Sequence, residues 1–420
     1  MLRKQLFVPV LFIAMIGMSA ITAVKWDSIV WRAEQARGWW LDASWGPRSN
    51  TLPTSVAAAN GGAATSIETA STLVPVTLAF EAAGPTVRPT SIPPTDAPTA
   101  TPIPLVTPSV STILAAPKWE KQTINNCGPA TLTMYLRFYG WGGAQKNIGD
   151  VVHPNVRDKN VRWDELVYYV KTHAGWLDAL FRVGGTTEDL KRFIANGFPV
   201  VIETGYELQE QGWVGHYLLL TGYDDDEGVF IAQDATAGPN QKVKYEKVDQ
   251  YWQQFNRLYI VVFPPDKAEI VNALLGENAD EAVNRQNALE TARAETQSDP
   301  ANPFAWFNLG SNLNYFDRYD EAAAAFDKAR ELGLPKRMLF YQFGPYRAYF
   351  NVGRYQEVID LSSFTLDYRP DLEESYFWRG WAEYMLGKKN EAILDFRNAL
   401  EVNPTFDDAK TALESLGIAP

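Results

Sequence analysis

The stretch Gln122-Thr-Ile-Asn-Asn-Cys127-Gly-Pro-Ala130 contains the only cysteine of the 420 residues. Asn126 is a residue type that caps helices, and Pro129 suits a first helical turn, where its missing N–H costs nothing. An apolar run follows and stops at Gly140, so the sequence predicts a buried helix that begins next to the cysteine. At a helix N-terminus, the dipole and free N–H groups favour the nucleophilic thiolate. The alternative is that Cys127 is simply a small buried hydrophobic residue.

Composition and charge argue against several classes of protein. The formal net charge of −12 argues against a nucleic-acid binder. One cysteine allows no intrachain disulfide. The three histidines (His153, His173 and His216) do not fall at ligand spacing with it, so we predict no metal site. No Gly-rich phosphate loop is present, and the sequence predicts no cofactor.

The N-terminus has the composition of a membrane anchor. A basic head, Met1–Lys4, precedes the 19 uncharged residues of Leu6–Val24, a length that just spans a bilayer. Residues 25–45 carry five tryptophans mixed with basic side chains, which is typical of a membrane interface. We therefore predict an anchor in 1–24, a juxtamembrane segment in 25–45, and the remaining chain outside the cytoplasm. The alternative is a signal peptide that is cleaved near Ala23, giving a secreted protein.

Residues 46–117 have the composition of a linker. Twelve of the 26 prolines fall here, among threonine, serine and alanine. Such a segment cannot bury enough apolar surface to offset the entropy of ordering, and proline keeps it extended. The sequence predicts a disordered stalk.

A predicted hairpin in the middle of the chain carries a second group of polar residues. His216 lies on an apolar strand, and Asp234 ends the returning strand. If Tyr223 pairs with Val229 across the turn, His216 lies opposite Thr236, and Asp234 becomes its diagonal neighbour. A carboxylate beside a histidine fixes the ring tautomer and stabilises its charged form.

Residues 118–265 resemble the C39-like peptidases, a branch of the papain-like cysteine proteases with an α+β fold. The family carries a Gln, a Cys-Gly at a helix start, a Gly-His on an apolar strand and an Asp closing a hairpin. Here these are Gln122, Cys127, His216 and Asp234, in the family's order. The resemblance implies that Cys127 is the nucleophile, that His216 is general base and then acid, and that Asp234 orients His216. It also implies that Gln122 and the Cys127 backbone N–H form an oxyanion hole.

The best-known relatives sit on peptide-exporting ABC transporters and cut after paired glycines on the cytoplasmic side. This chain has no ATPase motif, and its peptidase-like part is predicted to lie outside the cytoplasm, so we do not carry that substrate over.

The C-terminal third has a repeat. Pro335, Pro370 and Pro404 are spaced 35 and 34 residues apart, and each closes a unit that resembles a tetratricopeptide repeat (TPR), a pair of helices. The second unit is weaker because Pro345 falls inside its first helix. We predict a connecting helical region in 266–299 and repeats with a closing helix in 300–420. The acidic charge of this part has two interpretations: an ordinary solvated surface, or a concave groove that binds a peptide or partner protein.

Together these features predict a multidomain protein: an α+β peptidase domain plus an all-α TPR solenoid, behind an N-terminal transmembrane segment and a disordered linker. The predicted function is a membrane-tethered extracytoplasmic cysteine peptidase whose repeats recruit substrate or a partner. Two alternatives stay open: a non-catalytic peptide-binding scaffold, and related amidase or transglutaminase chemistry. A fragment ending near Pro265 is expected to fold alone and keep its reactive thiol.

Overall fold

The computed structural model describes residues 51–55, 104–155, 160–208 and 212–420. The predicted anchor in 1–24, the juxtamembrane segment and most of the predicted linker lie outside these ranges. Within them, no helix has both the length and the apolar character needed to cross a membrane.

An antiparallel seven-stranded sheet forms the centre of the first domain. Its strands lie in the order β2-β7-β3-β4-β5-β6, and β1 pairs with the end of β4 beyond β3. The long strand β4 therefore pairs with three others, and it carries His216. The strands are β1 (Ser111–Ile113), β2 (Asp178–Arg182), β3 (Val200–Leu208), β4 (Gly212–Asp224), β5 (Val229–Asp234), β6 (Gly238–Lys244) and β7 (Tyr259–Phe263).

Helices cover both faces of the sheet because alternate strand residues are apolar on both sides. Tyr217 and Leu219 pack with the first three helices, whereas Leu218 and Leu220 pack with the next three. The helices are α1 (Cys127–Phe138), α2 (Gln145–Val152), α3 (Trp163–His173), α4 (Thr187–Ala195), α5 (Tyr245–Trp252) and α6 (Ala268–Leu275).

Strand β1 corrects the predicted linker of 46–117. Thr112 pairs with Tyr223, and the flanking backbone continues the ladder, with Leu114 N–H donating to Thr221 C=O at 2.8 Å. The domain therefore begins before residue 118. Composition does not reveal this strand, because its pairing needs only backbone groups and a free stretch of β4.

The C-terminal part is helical throughout, as the repeat pattern predicts. Pro345 lies in the first turn of α10 rather than inside a longer helix, which explains why this helix is short. The helices are α7 (Glu281–Ser298), α8 (Pro303–Tyr315), α9 (Tyr319–Leu332), α10 (Gly344–Asn351), α11 (Tyr355–Tyr368), α12 (Glu373–Met385), α13 (Lys389–Val402) and α14 (Asp407–Ser415).

The repeats and the sheet domain share a hydrophobic core. Trp213 and Phe255 of the sheet domain are buried within the core of the repeats, with their rings stacked at 5.7 Å. Tyr341, between α9 and α10, meets both rings at 5.8 and 6.0 Å. The side-chain amides of Asn256 and Asn312 pair across the same boundary at 2.9 and 3.2 Å. The two parts therefore pack against each other and do not form structurally independent modules.

Candidate active site

Cys127 is the first residue of α1, as the sequence predicts, and it is half-buried. Asn126 occupies the N-cap position, but its side chain makes no capping hydrogen bond. Its amide instead donates to Thr123 Oγ1 at 2.7 Å. Because no side chain caps the helix, its first N–H groups remain available next to the sulfur.

His216 and Asp234 come together across β4 and β5, with Nε2 and Oδ1 separated by 2.9 Å. The predicted pairing near the turn is wrong by one residue: Tyr223 pairs with Phe230, not with Val229.

A bulge at Thr221 restores the predicted register further along, where Leu219 pairs with Gln233. The ladder ends there, so His216 has no strand partner opposite it on β5. Asp234 still reaches His216 because it is the last residue of β5, at the point where the strand turns away.

The carboxylate of Asp234 is held in place by its own turn. Its Oδ1 accepts hydrogen bonds from the backbone N–H groups of Thr236 at 2.7 Å and Ala237 at 3.0 Å. The indole of Trp119 donates to its backbone C=O at 2.8 Å. Burial raises the pKa of Asp234, but the bonds from His216 and the two amides outweigh this and lower it. Asp234 therefore stays an anion that orients His216.

The imidazole of His216 is buried between two acidic partners. Burial lowers its pKa, but the hydrogen bonds with Asp234 and with the Cys127 thiol outweigh burial and raise it to about 10. Because Nε2 faces Asp234, the other ring nitrogen is left for the sulfur. At neutral pH the ring is thus an imidazolium, and a positive charge beside a thiol favours the thiolate.

Gln122 lies beside the loop that follows Asp234. Its backbone N–H donates to the Ala235 C=O at 2.9 Å. Its side-chain Oε1 is buried and has no hydrogen-bond partner among the described residues. The structure therefore brings Gln122 to the corner at which Asp234 ends β5. Its role as an oxyanion donor remains a prediction.

Sequence reasoning missed a buried carboxyl near the thiol. Glu203 on β3 pairs with Tyr217 on β4, and the Tyr217 ring lies against the start of α1 at Gly128. Burial raises the pKa of Glu203 well above its ordinary value, and the nearby Cys127 adds to the effect. A charged residue within an apolar strand was the available signal.

The second missed residue is Tyr341, which comes from the repeats. Burial raises its pKa to about 12, and its electrostatic partners include Arg337, Cys127 and Glu203. The ring lies on Gly215, next to His216 in the sequence. No local sequence signal connects it with the site, because the contact depends on how the two domains pack.

Among the described residues, no group of three or more His, Cys, Asp or Glu side chains could hold a metal ion.

Comparison with solved structures finds weak likenesses, each of which covers about a third of the chain. The double glycine motif protease from an AMS/PCAT transporter, solved with its leader peptide, is 17% identical over 36% of this chain and 94% of that chain, with a TM-score of 0.29. The peptidase domain of Streptococcus ComA is 14% identical over 36% and 98%, with a TM-score of 0.28. A crystal structure of MamA is 17% identical over 32% and 80%, also at 0.28. No curated protein matches the sequence.

Family models match two separate parts of the chain, in the order that the motifs predicted. The first match covers most of the sheet and the helices α1 to α5, including Cys127 and His216, and the second covers the third helix pair of the repeats. The chain contains a domain of the Peptidase_C39 like family at residues 113–260, followed by a tetratricopeptide repeat at residues 373–406.

Proposed function

We propose that this chain is a cysteine peptidase that works through Cys127, His216 and Asp234. The observation that carries the proposal is the 2.9 Å hydrogen bond between His216 Nε2 and Asp234 Oδ1, on a ring that interacts electrostatically with Cys127 at the start of α1. A nucleophile, a base and an orienting group in this relation are the elements of acyl transfer.

In the proposed reaction, the Cys127 thiolate attacks the peptide carbonyl carbon and forms a tetrahedral oxyanion. The backbone N–H of Cys127 and the side-chain amide of Gln122 stabilise that charge. The His216 imidazolium then gives its proton to the leaving amine, which leaves a thioester on Cys127. Neutral His216 next takes a proton from water, whose oxygen attacks the thioester, and the thiolate is restored as the acid product leaves.

We also propose that the peptidase works at a membrane, outside the cytoplasm. Support comes from the sequence alone: the basic head, the uncharged run of Leu6–Val24 and the tryptophans that follow. Separation of membranes from soluble protein, followed by N-terminal sequencing, tests this. A mature chain that starts near Val24 would favour the secreted alternative.

The repeats recruit substrate or a protein partner in this proposal, but not with their whole surface. Helices α8 and α12 already contact the sheet domain, through Asn308 to the Gln253 C=O at 2.7 Å and through Glu374 to Arg162 at 3.4 Å. A partner therefore has to bind elsewhere on the repeats.

The decisive test is thiol labelling of the full chain with iodoacetamide across pH. A thiolate paired with His216 is expected to react well below pH ~8.5, the ordinary thiol range. His216→Ala should lose this early reactivity, whereas His173→Ala, at an exposed histidine, should keep it. Cleavage of a quenched-fluorescent peptide library should stop in Cys127→Ser. Labelling that rises only near pH 8.5, in a folded chain that cleaves no peptide, would support the non-catalytic scaffold instead.

A further inference from the structure

A short N-terminal segment, Thr51–Ser55, lies on the repeats, far along the chain from them. Thr51 pairs with Pro335 as an isolated antiparallel bridge, and Leu52 N–H donates to Leu334 C=O at 2.8 Å. The Leu52 side chain is 2% exposed and belongs to the core of the repeats. The segment is thus bound as an extended peptide, by backbone pairing and one apolar anchor.

Two arginines of the repeats hold the polar groups of this segment. Arg330 Nε donates to the Pro53 C=O at 2.8 Å, and Arg354 Nη2 donates to Ser55 Oγ at 2.6 Å. Both guanidinium groups are also fixed by carboxylates within the repeats, Arg330 by Glu357 at 2.6 Å and Arg354 by Asp327 at 2.8 Å. The donors are therefore positioned by the repeats themselves, without help from the peptide.

Beside this segment, the described residues leave a groove on the surface of the repeats. A cavity of about 710 Å³ is lined by Thr51–Thr54 on one side and by Asp360, Ser363, Phe364 and Asp367 of α11 on the other. It offers an aromatic ring and two carboxylates to a ligand longer than the segment. A basic side chain would complement those carboxylates.

We propose that this surface, formed by the end of α9, the residues after it and α11, is a peptide-binding site whose resident ligand is Thr51–Ser55. The ligand class is an extended peptide with a Leu-Pro step, a hydroxyl two residues after the proline and a basic residue for the acidic groove. This combination of backbone pairing and side-chain pockets is how proteins commonly recognise extended peptides. A partner that carries such a segment competes with residues 51–55.

Attachment in the same chain explains how the site stays filled. A ligand in the same chain has a high effective concentration, so weak outside ligands are kept out without any new contact. Only a longer partner, which also fills the groove at Asp360 and Asp367, gains contacts that the resident segment lacks. The proposal does not depend on peptidase activity.

The test measures binding of a fluorescent synthetic peptide, with the sequence of residues 49–57, to the full chain by anisotropy. Leu52→Asp removes the apolar anchor and is expected to free the site, so that it binds the peptide at least ~10-fold more tightly than the unchanged protein. Leu394→Asp is the matched control, because it makes the same change at an exposed leucine of α13, outside this site; it should behave like the unchanged protein. A peptide extended with two lysines should bind more tightly still, and lose that advantage in high salt.

A second measurement uses the unchanged protein, in case Leu52→Asp fails to fold. Excess lysine-extended peptide should speed hydrogen exchange at the Leu52 amide, which Leu334 protects in the resident complex. Unchanged exchange at saturating peptide would overturn the proposal. So would a folded Leu52→Asp protein that binds no peptide, or equal binding by all three proteins, since the binding would then lie elsewhere.

Discussion

The ring of Tyr341, from the repeats, lies directly on Gly215 of the sheet domain. A Cβ atom added at Gly215 would lie 2.9 Å from Cδ1 and Cε1 of that ring, and equally close to Phe255. Real Cβ atoms do not approach other atoms so closely, so the contact requires glycine. Because His216 is the next residue, the repeats press on the strand that carries the proposed base.

Gly215→Ala is expected to destabilise the protein by about 1–3 kcal/mol, because the added methyl group overpacks the interface. Gly142→Ala is the control, since nothing lies within 4 Å of its added Cβ atom. The cost of Gly215→Ala should be smaller in a protein that also carries Tyr341→Ala. Urea unfolding of the unchanged protein, the two single variants and the double variant measures this coupling. Additive costs would mean that Tyr341 does not restrain Gly215.

A fragment of residues 104–265 is expected to be poorly folded, contrary to the modular picture that the sequence suggested. Without the repeats, the buried rings of Trp213 and Phe255 become exposed, and an apolar patch of that kind promotes aggregation. Circular dichroism and size-exclusion chromatography of 104–265 and 104–420 provide the comparison. A soluble, cooperatively melting short fragment with a reactive Cys127 would restore the modular picture.

Asp234→Asn is expected to lower kcat by up to ~10⁴-fold, because an amide can present the wrong tautomer to His216. The variant should also lose activity at a lower alkaline pH than the unchanged protein does. In the unchanged protein the imidazolium is lost only near pH 10, and removing the carboxylate should lower that limit by about one unit or more.

The same titration predicts how stability depends on pH. The folded pKa of His216 is raised from 6.5 to about 10. Its contribution to the free energy of unfolding is therefore complete below pH ~6.5 and is lost as pH rises through 10. Asp234→Asn should remove most of this dependence, whereas Asp226→Asn, at an exposed turn residue, should not. Identical pH profiles of activity and stability in both variants would refute the assigned pair.

Gln122→Ala is expected to slow turnover by ~10²–10³-fold through loss of one oxyanion donor. Thiol labelling should hardly change, because the hydrogen bond of Gln122 to Ala235 uses the backbone N–H, which the variant keeps. Lys121→Ala, at the exposed neighbouring residue, serves as the control. Equal losses of labelling and turnover would show that Gln122 supports the fold of the site and does not bind the oxyanion.

Glu203→Gln is expected to stabilise the protein at neutral and higher pH, on the order of 1 kcal/mol or more. The folded pKa of Glu203 is raised by burial, so stability is lost as pH rises above ~4.5, where the unfolded carboxyl ionises. The stability difference between Glu203→Gln and the unchanged protein should vanish near pH 4. Glu207→Gln, exposed on the same strand, should show no such gain in thermal melts from pH 4 to 9.

The sequence by itself determined the local features of this protein. The helix that starts at Cys127, the hairpin that carries His216 and Asp234, and the helical repeats were predictable because apolar periodicity, a helix-stopping glycine and proline spacing act over a few residues. The bulge at Thr221 was not predicted, yet the distance between His216 and Asp234 depends on it. One extra residue in a strand leaves no composition signal.

Tertiary structure alone decided what surrounds the site. Tyr341 packs on Gly215, and the Glu203 carboxyl is desolvated next to Cys127. Leu52 packs into the core of the repeats, almost three hundred residues away in the sequence. Each of these contacts joins distant parts of the chain. Apolar burial stabilises the contacts of Tyr341 and Leu52 and offsets the cost of burying the Glu203 carboxyl, and all of it depends on the final packing. Local sequence signals carry the elements of the candidate site, whereas packing sets their electrostatics and links the repeats to the strand that carries His216.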